Sequence, residues 1–212
     1  MKNISRIFVL VLTLLFATFT QLTTGQTGNS STGQSGNQSN LTISQSLDFW
    51  VTNTETEVVS AAVAMPEEKY SFAPSASTIH GGEFTKVRTF AQQLKHLAAN
   101  NYRMAAYIVL QTPTPDQENE TGPATIRTKA QIVNYVKGSF AALHRAVATI
   151  NEKNMLEDLA AMADHPQNNR VQLAVDSVAH SYDHYGQLVE YLRMNGIIPP
   201  ASHGNIPTAS RR

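Results

Sequence analysis

Most of the chain carries hydrophobic residues at the three- and four-residue spacing of amphipathic helices. The pattern is interrupted by prolines and glycines into four long segments, at 47–65, about 83–111, about 124–150 and about 167–193. A shorter helical piece is predicted at 155–162. The strict alternation that is typical of strands is almost absent. The pattern therefore predicts an all-α domain.

Four amphipathic helices of this length predict a four-helix bundle at residues 41–201. The expected connections of about ten to seventeen residues are longer than an antiparallel helix pair needs, so at least one connection should cross the bundle. Thr128 or Thr125 is available to cap the third helix. Residues 202–212 are predicted to form a C-terminal tail.

Residues 1–25 predict a secretory signal peptide. Lys2 and Arg6 precede an apolar run at 7–17, and small or polar residues follow this run. The run is shorter than a comfortable transmembrane helix, although an uncleaved N-terminal anchor shares the same layout and is the alternative. Residues 26–40 contain no apolar side chain to bury and predict a flexible linker. We therefore expect an exported protein, periplasmic or extracellular, with no membrane span after cleavage.

Charge and composition narrow the possible partners. Lys and Arg together number 16, as do Asp and Glu, so no positive excess indicates binding to a nucleic acid. The chain contains no cysteine, which excludes a disulfide framework. It also lacks Glu-x-x-His, His-Glu-x-x-His, Gly-x-Ser-x-Gly and a phosphate-binding glycine loop. The histidines remain as candidate chemistry.

Three histidines form the candidate site. His180 and His184 lie one turn apart on one face of the fourth helix, and His96 lies beside the apolar stripe of the second. Three neutral imidazoles could hold one divalent ion and leave positions open for water or substrate. Zinc or nickel is the first candidate, and manganese or iron is the alternative. Three separately hydrogen-bonded histidines would give the same spacing.

Four further polar residues accompany the three histidines. Asp176 could orient His180 through its second ring nitrogen, although a solvated or capping aspartate fits equally. Asn100, one turn after His96, could reach an open metal position. Gln187 and Tyr191 continue the face of the ligands and are expected to line a pocket or to form polar core edge.

The remaining histidines have simpler interpretations. His144 lies beside apolar residues of the third helix and is expected to be partly buried and structural. The other three are expected to be solvated loop or tail residues: His80, His165 and His203.

Three spaced segments carry a resemblance to a known family. They are the run Met-Pro-Glu-Glu-Lys-Tyr-Ser-Phe-Ala-Pro at 65–74, the pattern Phe-x5-His-Leu-Ala at 90–98, and the histidine pair at 180–184 with Tyr-Gly-Gln-Leu after it and Arg-Met-Asn-Gly-Ile-Ile-Pro-Pro at 193–200. Together they resemble the DinB family of metal-binding bundles over residues 41–201. The resemblance implies a bundle with a long connection, a homodimer, and metal ligation by His96, His180 and His184.

The resemblance leaves two functions open. Some DinB members are thiol-dependent transferases or isomerases, many have no known activity, and the family name implies no DNA binding here. The predicted export differs from thiol transferases, which act where small thiols are kept reduced. One hypothesis is an exported metal-dependent hydrolase or transferase acting on a small molecule. The other is a non-catalytic binding or stress protein that the metal stabilises.

Overall fold

The computed structural model describes residues 41–159 and 169–203, so the predicted signal peptide, the linker and most of the predicted tail lie outside the described residues. Among the described residues there is no β-strand, and none of the helices is long and apolar enough to span a bilayer. The all-α prediction is confirmed. The helices are α1 (Ile43–Ala64), α2 (Phe90–Ile108), the short α3 (Pro115–Glu118), α4 (Lys129–Val147) and α5 (Arg170–Met194), with 3-10 turns at Glu67–Lys69 and Pro200–His203.

The four long helices form a bundle in which each helix packs against two neighbours and lies diagonally opposite the third helix. Helix α1 packs against α4 and α5, and α2 packs against the same two helices. Helices α1 and α2 therefore occupy one diagonal, and α4 and α5 occupy the other. The connection from α1 to α2 and the connection from α4 to α5 each join diagonal helices. This confirms the expectation that at least one connection crosses the bundle.

Each long helix begins with a capping box. The side chain of the N-cap residue accepts a hydrogen bond from the backbone N–H of a glutamine three residues later, and that glutamine accepts one from the N–H of the cap. Two N–H groups that the first turn leaves unpaired are satisfied in this way. The pairs are Thr42 with Gln45, Thr89 with Gln92, Thr128 with Gln131, and Asn169 with Gln172.

These caps correct the predicted helix starts. The second, third and fourth helices begin at Phe90, Lys129 and Arg170, later than predicted, because the capping boxes and not the apolar stripes set the first turn. The N–H of Phe90 also donates to the carbonyl of Phe72, at 2.8 Å. The chain before α2 therefore satisfies the helix end without extending the helix, and the connections are longer than predicted.

The prediction of a helix at 155–162 is wrong for its described part, residues 155–159, which form a turn and an isolated bridge. Residues 160–162 lie outside the described residues. Arg170 holds this turn: its Nη1 donates to the Asn154 carbonyl at 3.2 Å and to Glu157 Oε2 at 2.5 Å. Its Nε donates to the carbonyl of Ile108, the last residue of α2, at 3.0 Å. One buried guanidinium therefore ties the turn to α2.

The core lies between the four helices and includes buried polar side chains. Large side chains from every long helix are fully buried, including Val51, Leu94, Phe140 and Leu188. Within the core, Ser181 of α5 donates to Asn101 Oδ1 of α2 at 3.2 Å. Because a buried amide without partners is costly, this bond helps fix the register of α2 against α5.

His144 links α4 to α1. Its Nδ1 lies 2.5 Å from Asp48 Oδ1, and its Nε2 lies 3.0 Å from Glu55 Oε2. The hydrogen bonds to Glu55 and Asp48 raise the pKa of His144 to about 9, although burial acts in the opposite direction. Because the carboxylates lie on opposite edges of the ring, the three groups form a charge clamp and not a metal site. His144 is half-buried, as predicted.

The clamp predicts a stability loss at alkaline pH. The folded-state pKa is raised above the ordinary value of 6.5, so the stabilisation is fully present below pH 6.5 and is lost as the pH rises through about 9. Asp48 is 48% exposed, so solvent screening should reduce the effect to about 1 kcal/mol. Chemical denaturation of the parent and of His144→Gln between pH 6 and 10 measures this. The free energy of unfolding of His144→Gln should not fall between pH 6 and 10 as that of the parent does. Identical pH profiles would contradict the ion pairs of His144 with Asp48 and Glu55.

Candidate metal centre

The three histidines predicted from the sequence lie together where α2 packs against α5. His96 comes from the middle of α2, and His180 and His184 come from α5, one turn apart. His96 is 9% exposed and His184 is 5% exposed, while His180 is half-buried. Their ligand nitrogens all lie within 4.8 Å of one another. This is a group that could hold one metal ion.

The spacing of the nitrogens fits one ion. Nε2 of His180 lies 3.2 Å from Nε2 of His96 and 3.2 Å from Nε2 of His184. Two nitrogens bound to one ion at about 2.0–2.1 Å are separated by about 2.8–3.4 Å, for angles between octahedral and tetrahedral. The observed separations fall inside this interval. The donor set, three imidazoles, suits zinc or nickel and does not favour calcium or magnesium.

A backbone contact fixes the proton of His96. Its Nδ1 lies 2.7 Å from the carbonyl oxygen of Glu120, in the connection between α2 and α4. Because a carbonyl only accepts, Nδ1 carries the proton and donates it. Nε2 is then unprotonated, and its lone pair is directed at the other two rings. This is the arrangement in which a protein fixes the tautomer of a metal-binding histidine.

Burial keeps the three rings neutral. Burial first, and then the neighbouring histidines, lower the pKa of His180 to about 4 and that of His184 to about 3. Burial also lowers the pKa of His96, partly offset by the bond to the Glu120 carbonyl. Neutral imidazole is the form that binds a metal, so at neutral pH no proton has to be displaced from these rings.

Two contacts hold α2 in register with α5 on either side of the site. At the start of α2, the Tyr191 hydroxyl donates to the carbonyl of Arg88 at 3.0 Å. At its end, Arg170 donates to the carbonyl of Ile108 at 3.0 Å. Both side chains come from α5. Tyr191 is buried as part of this anchor, and pocket lining by Tyr191 stays a prediction.

Gln187 lies next to the site and continues its polar surface. It accepts a hydrogen bond from Gln93 Nε2 at 2.6 Å and donates to Asp183 Oδ2 at 3.2 Å. Gln93 is three residues before His96, and Gln187 is three residues after His184. The amide pair therefore forms a polar layer one turn from the histidines.

Asp176 and Asn100 lie near the three histidines in different surroundings. Asp176 is exposed, and within the described residues His180 Nδ1 has no hydrogen-bond partner. Asp176 therefore makes no hydrogen bond to His180 Nδ1 in this structure, and an orienting role for Asp176 stays a prediction. Asn100 is 5% exposed, and its Oδ1 accepts from Arg103 Nη2 at 2.9 Å. Asn100 Oδ1 is therefore occupied by Arg103, whereas Asn100 Nδ2 has no hydrogen-bond partner among the described residues.

Sequence reasoning missed three contributors. The Glu120 carbonyl gives no signal, because any residue supplies a backbone oxygen. Arg88 lies just before α2, and its charge lowers the pKa of His96 and His184. Arg103 lowers the pKa of His96 and His180, and its position seven residues after His96, on the same helix face, was a signal that the sequence contained.

The fold and the site define a class of protein, a four-helix bundle with a three-histidine centre between two facing helices. The family model of the DinB superfamily matches residues 51–188, which is more than half of the 212-residue chain. The chain belongs to the DinB superfamily. The comparison with curated proteins found no match.

The centre predicts that metal binding depends on His184. After loading with zinc and dialysis, the parent should retain about one ion per chain, and His184→Ala should lose it because two imidazoles remain. Elemental analysis measures the ion content. His80→Ala is the matched control, because His80 is an exposed loop residue, and it should retain the metal. Equal retention in both variants would contradict the assignment.

The contact with Glu120 predicts one tautomer for His96. In metal-free protein near neutral pH, long-range proton–nitrogen NMR spectra should show the proton on Nδ1 and none on Nε2. Exposed His80 should show the usual mixture of tautomers. A proton on Nε2 of His96 would mean that the ring does not present its lone pair to the other two histidines.

Proposed function

We propose that this chain is an exported DinB-superfamily protein that binds one divalent ion through His96, His180 and His184 and acts as a metal-dependent hydrolase or transferase on a small molecule. The observation that carries the proposal is the convergence of the Nε2 atoms of neutral rings, at 3.2 Å for two of the pairs. Zinc or nickel is the proposed ion.

The number of ligands supports catalysis over a purely structural site. Among the described residues, the cluster contains three histidines and no carboxylate or fourth imidazole. Structural zinc sites are usually closed by four protein ligands, whereas catalytic sites keep a position for water or substrate. When bound at such a site, a divalent ion acidifies water or polarises a substrate oxygen.

Among the described residues, those around the centre orient the ligands, and none is positioned as a general base. Asp183 is exposed and accepts a hydrogen bond from Gln187. The Glu120 carbonyl holds the ring of His96, and the Gln93–Gln187 pair lies one turn away. The proposed activity therefore depends on the ligands and on charge at the site, and not on a positioned carboxylate.

A second candidate function is a non-catalytic, metal-stabilised binding or stress protein. The observation that favours it is the burial of three neutral imidazoles, since within the described residues Nδ1 of His180 and of His184 have no hydrogen-bond partner. An ion that binds only the folded state stabilises it by about 2.7 kcal/mol at a hundredfold excess over its Kd. In this case the ion contributes stability without turnover.

Export and dimerisation remain predictions. The predicted signal peptide lies outside the described residues, and the homodimer is implied by the family. Detection of the mature chain, beginning near residue 26, outside the cytoplasm would support export. Light scattering of the purified bundle would give its oligomeric state.

The two functions are separated by measuring turnover and stability on the same samples. Zinc-loaded protein is assayed for hydrolysis of p-nitrophenyl acetate and for transfer of glutathione to chlorodinitrobenzene, beside His184→Ala and His80→Ala. We expect turnover in the parent and in His80→Ala, and at least tenfold less in His184→Ala, because removing a ligand removes the ion. No turnover, together with a metal-dependent rise in Tm, would favour the non-catalytic function.

A further inference from the structure

A surface of α2 that carries an arginine and an asparagine adjoins the three histidines. His96, Asn100 and Arg103 are spaced by four and three residues, so they fall within about 60° on one helix face. Arg103 Nη2 donates to Asn100 Oδ1 at 2.9 Å, which directs the guanidinium along the helix toward the site. The Asn100 Nδ2 and Arg103 Nε atoms are buried.

These donors lack acceptors in the described part of the chain. Neither Asn100 Nδ2 nor Arg103 Nε has a hydrogen-bond partner there, and no carboxylate of the described residues pairs with Arg103 within 4.0 Å. Arg103 is half-buried, but its Nε is enclosed, and an enclosed donor of a cationic group costs free energy when it has no partner. The costly arrangement lies directly beside a site that could hold a metal.

The carboxylates near the site do not neutralise Arg103. Asp176 and Asp183 raise the pKa of His180 but are both exposed. Glu120 is 63% exposed and lies 3.7 Å from the other arginine at the site, Arg88. The site therefore has one guanidinium that is paired and one that is not. A guanidinium fork and an amide N–H are the donors that suit the oxygens of a planar carboxylate or of a phosphate.

We propose that Arg103 and Asn100 bind the oxyanion group, a carboxylate or a phosphate, of the small molecule taken by the metal centre. The inference rests on the proposed function, because it assigns the substrate class of the same site. Arg103 is a binding residue in this account, and the ligand is a small organic anion. A neutral molecule of the same shape would leave the donors of Arg103 and Asn100 unsatisfied.

The test measures binding of three probes to the full mature chain loaded with cobalt, with metal content determined on every sample. Acetate and methyl phosphate supply the two oxyanions, and acetamide is the neutral counterpart of acetate. Isothermal titration and the visible cobalt spectrum report binding. The variants are Arg103→Gln and, as a control with the same loss of charge, Arg145→Gln on the exposed surface of α4.

We expect both oxyanions to bind the parent more tightly than acetamide, and Arg103→Gln to weaken them by about tenfold or more, since hydrogen bonds to charged groups are lost. Arg145→Gln should bind as the parent does. Tighter binding of acetate than of methyl phosphate would assign the group as a carboxylate, and the reverse order would assign a phosphate.

A stability measurement separates binding from a structural role. Arg103→Gln loses the hydrogen bond to Asn100 but no ion pair among the described residues, so it should unfold close to the melting temperature of the parent, whereas loss of a structural arginine would lower that temperature strongly. If Arg103→Gln does not fold, Arg103→Lys replaces it. Arg103→Lys keeps the positive charge but loses the two-pronged guanidinium geometry, and it should weaken the binding of acetate by about threefold or more.

Three results would overturn the proposal. In metal-loaded protein, equal binding of acetate and acetamide would exclude oxyanion recognition. Unchanged oxyanion binding in Arg103→Gln, or in Arg103→Lys where that replaces it, would exclude Arg103. Either result leaves the three-histidine function standing. Failure of the parent to retain cobalt would remove the proposed function, and the substrate class would fall with it.

Discussion

Three imidazole rings meet where α2 packs against α5, and the contacts around them keep the rings neutral and fix the orientation of His96. Burial and the neighbouring histidines lower the pKa of His180 to about 4 and that of His184 to about 3, so proton binding does not compete with a metal at neutral pH. Without an ion, the interactions among the three rings offset little of the free-energy cost of burying them. A divalent cation, which these three rings could hold, would offset this cost.

The positions of the rings depend on how α2 is fixed against α5. Tyr191 and Arg170, both from α5, bind carbonyls at opposite ends of α2, at 3.0 Å each, and Asn101 joins the helices in the core. The loop after α2 then supplies the Glu120 carbonyl that turns His96. The long connection is therefore part of the site, because it determines which nitrogen of His96 is free to bind.

Sequence periodicity predicted the four long helices, the bundle and the three histidines, because a spacing of three and four residues places side chains on one face whatever surrounds them. The starts of α2, α4 and α5 were missed because the apolar pattern extends into the chain before the first turn. A capping box, such as Thr89 with Gln92, decides where the helix begins. The role of Asp176 could not be read from its spacing, since one turn of separation does not fix which way a short side chain points. The Glu120 carbonyl could not be predicted from side-chain chemistry at all.

X-ray absorption of the zinc-loaded chain counts the imidazole ligands of the ion and thereby tests whether the three histidines bind it. Three imidazole nitrogens at about 2.0–2.1 Å, with one or more oxygen atoms completing the shell, are the result expected for His96, His180 and His184. A shell with one imidazole, or with carboxylate oxygen only, would place the ion elsewhere. It would contradict the three-histidine centre on which the account depends.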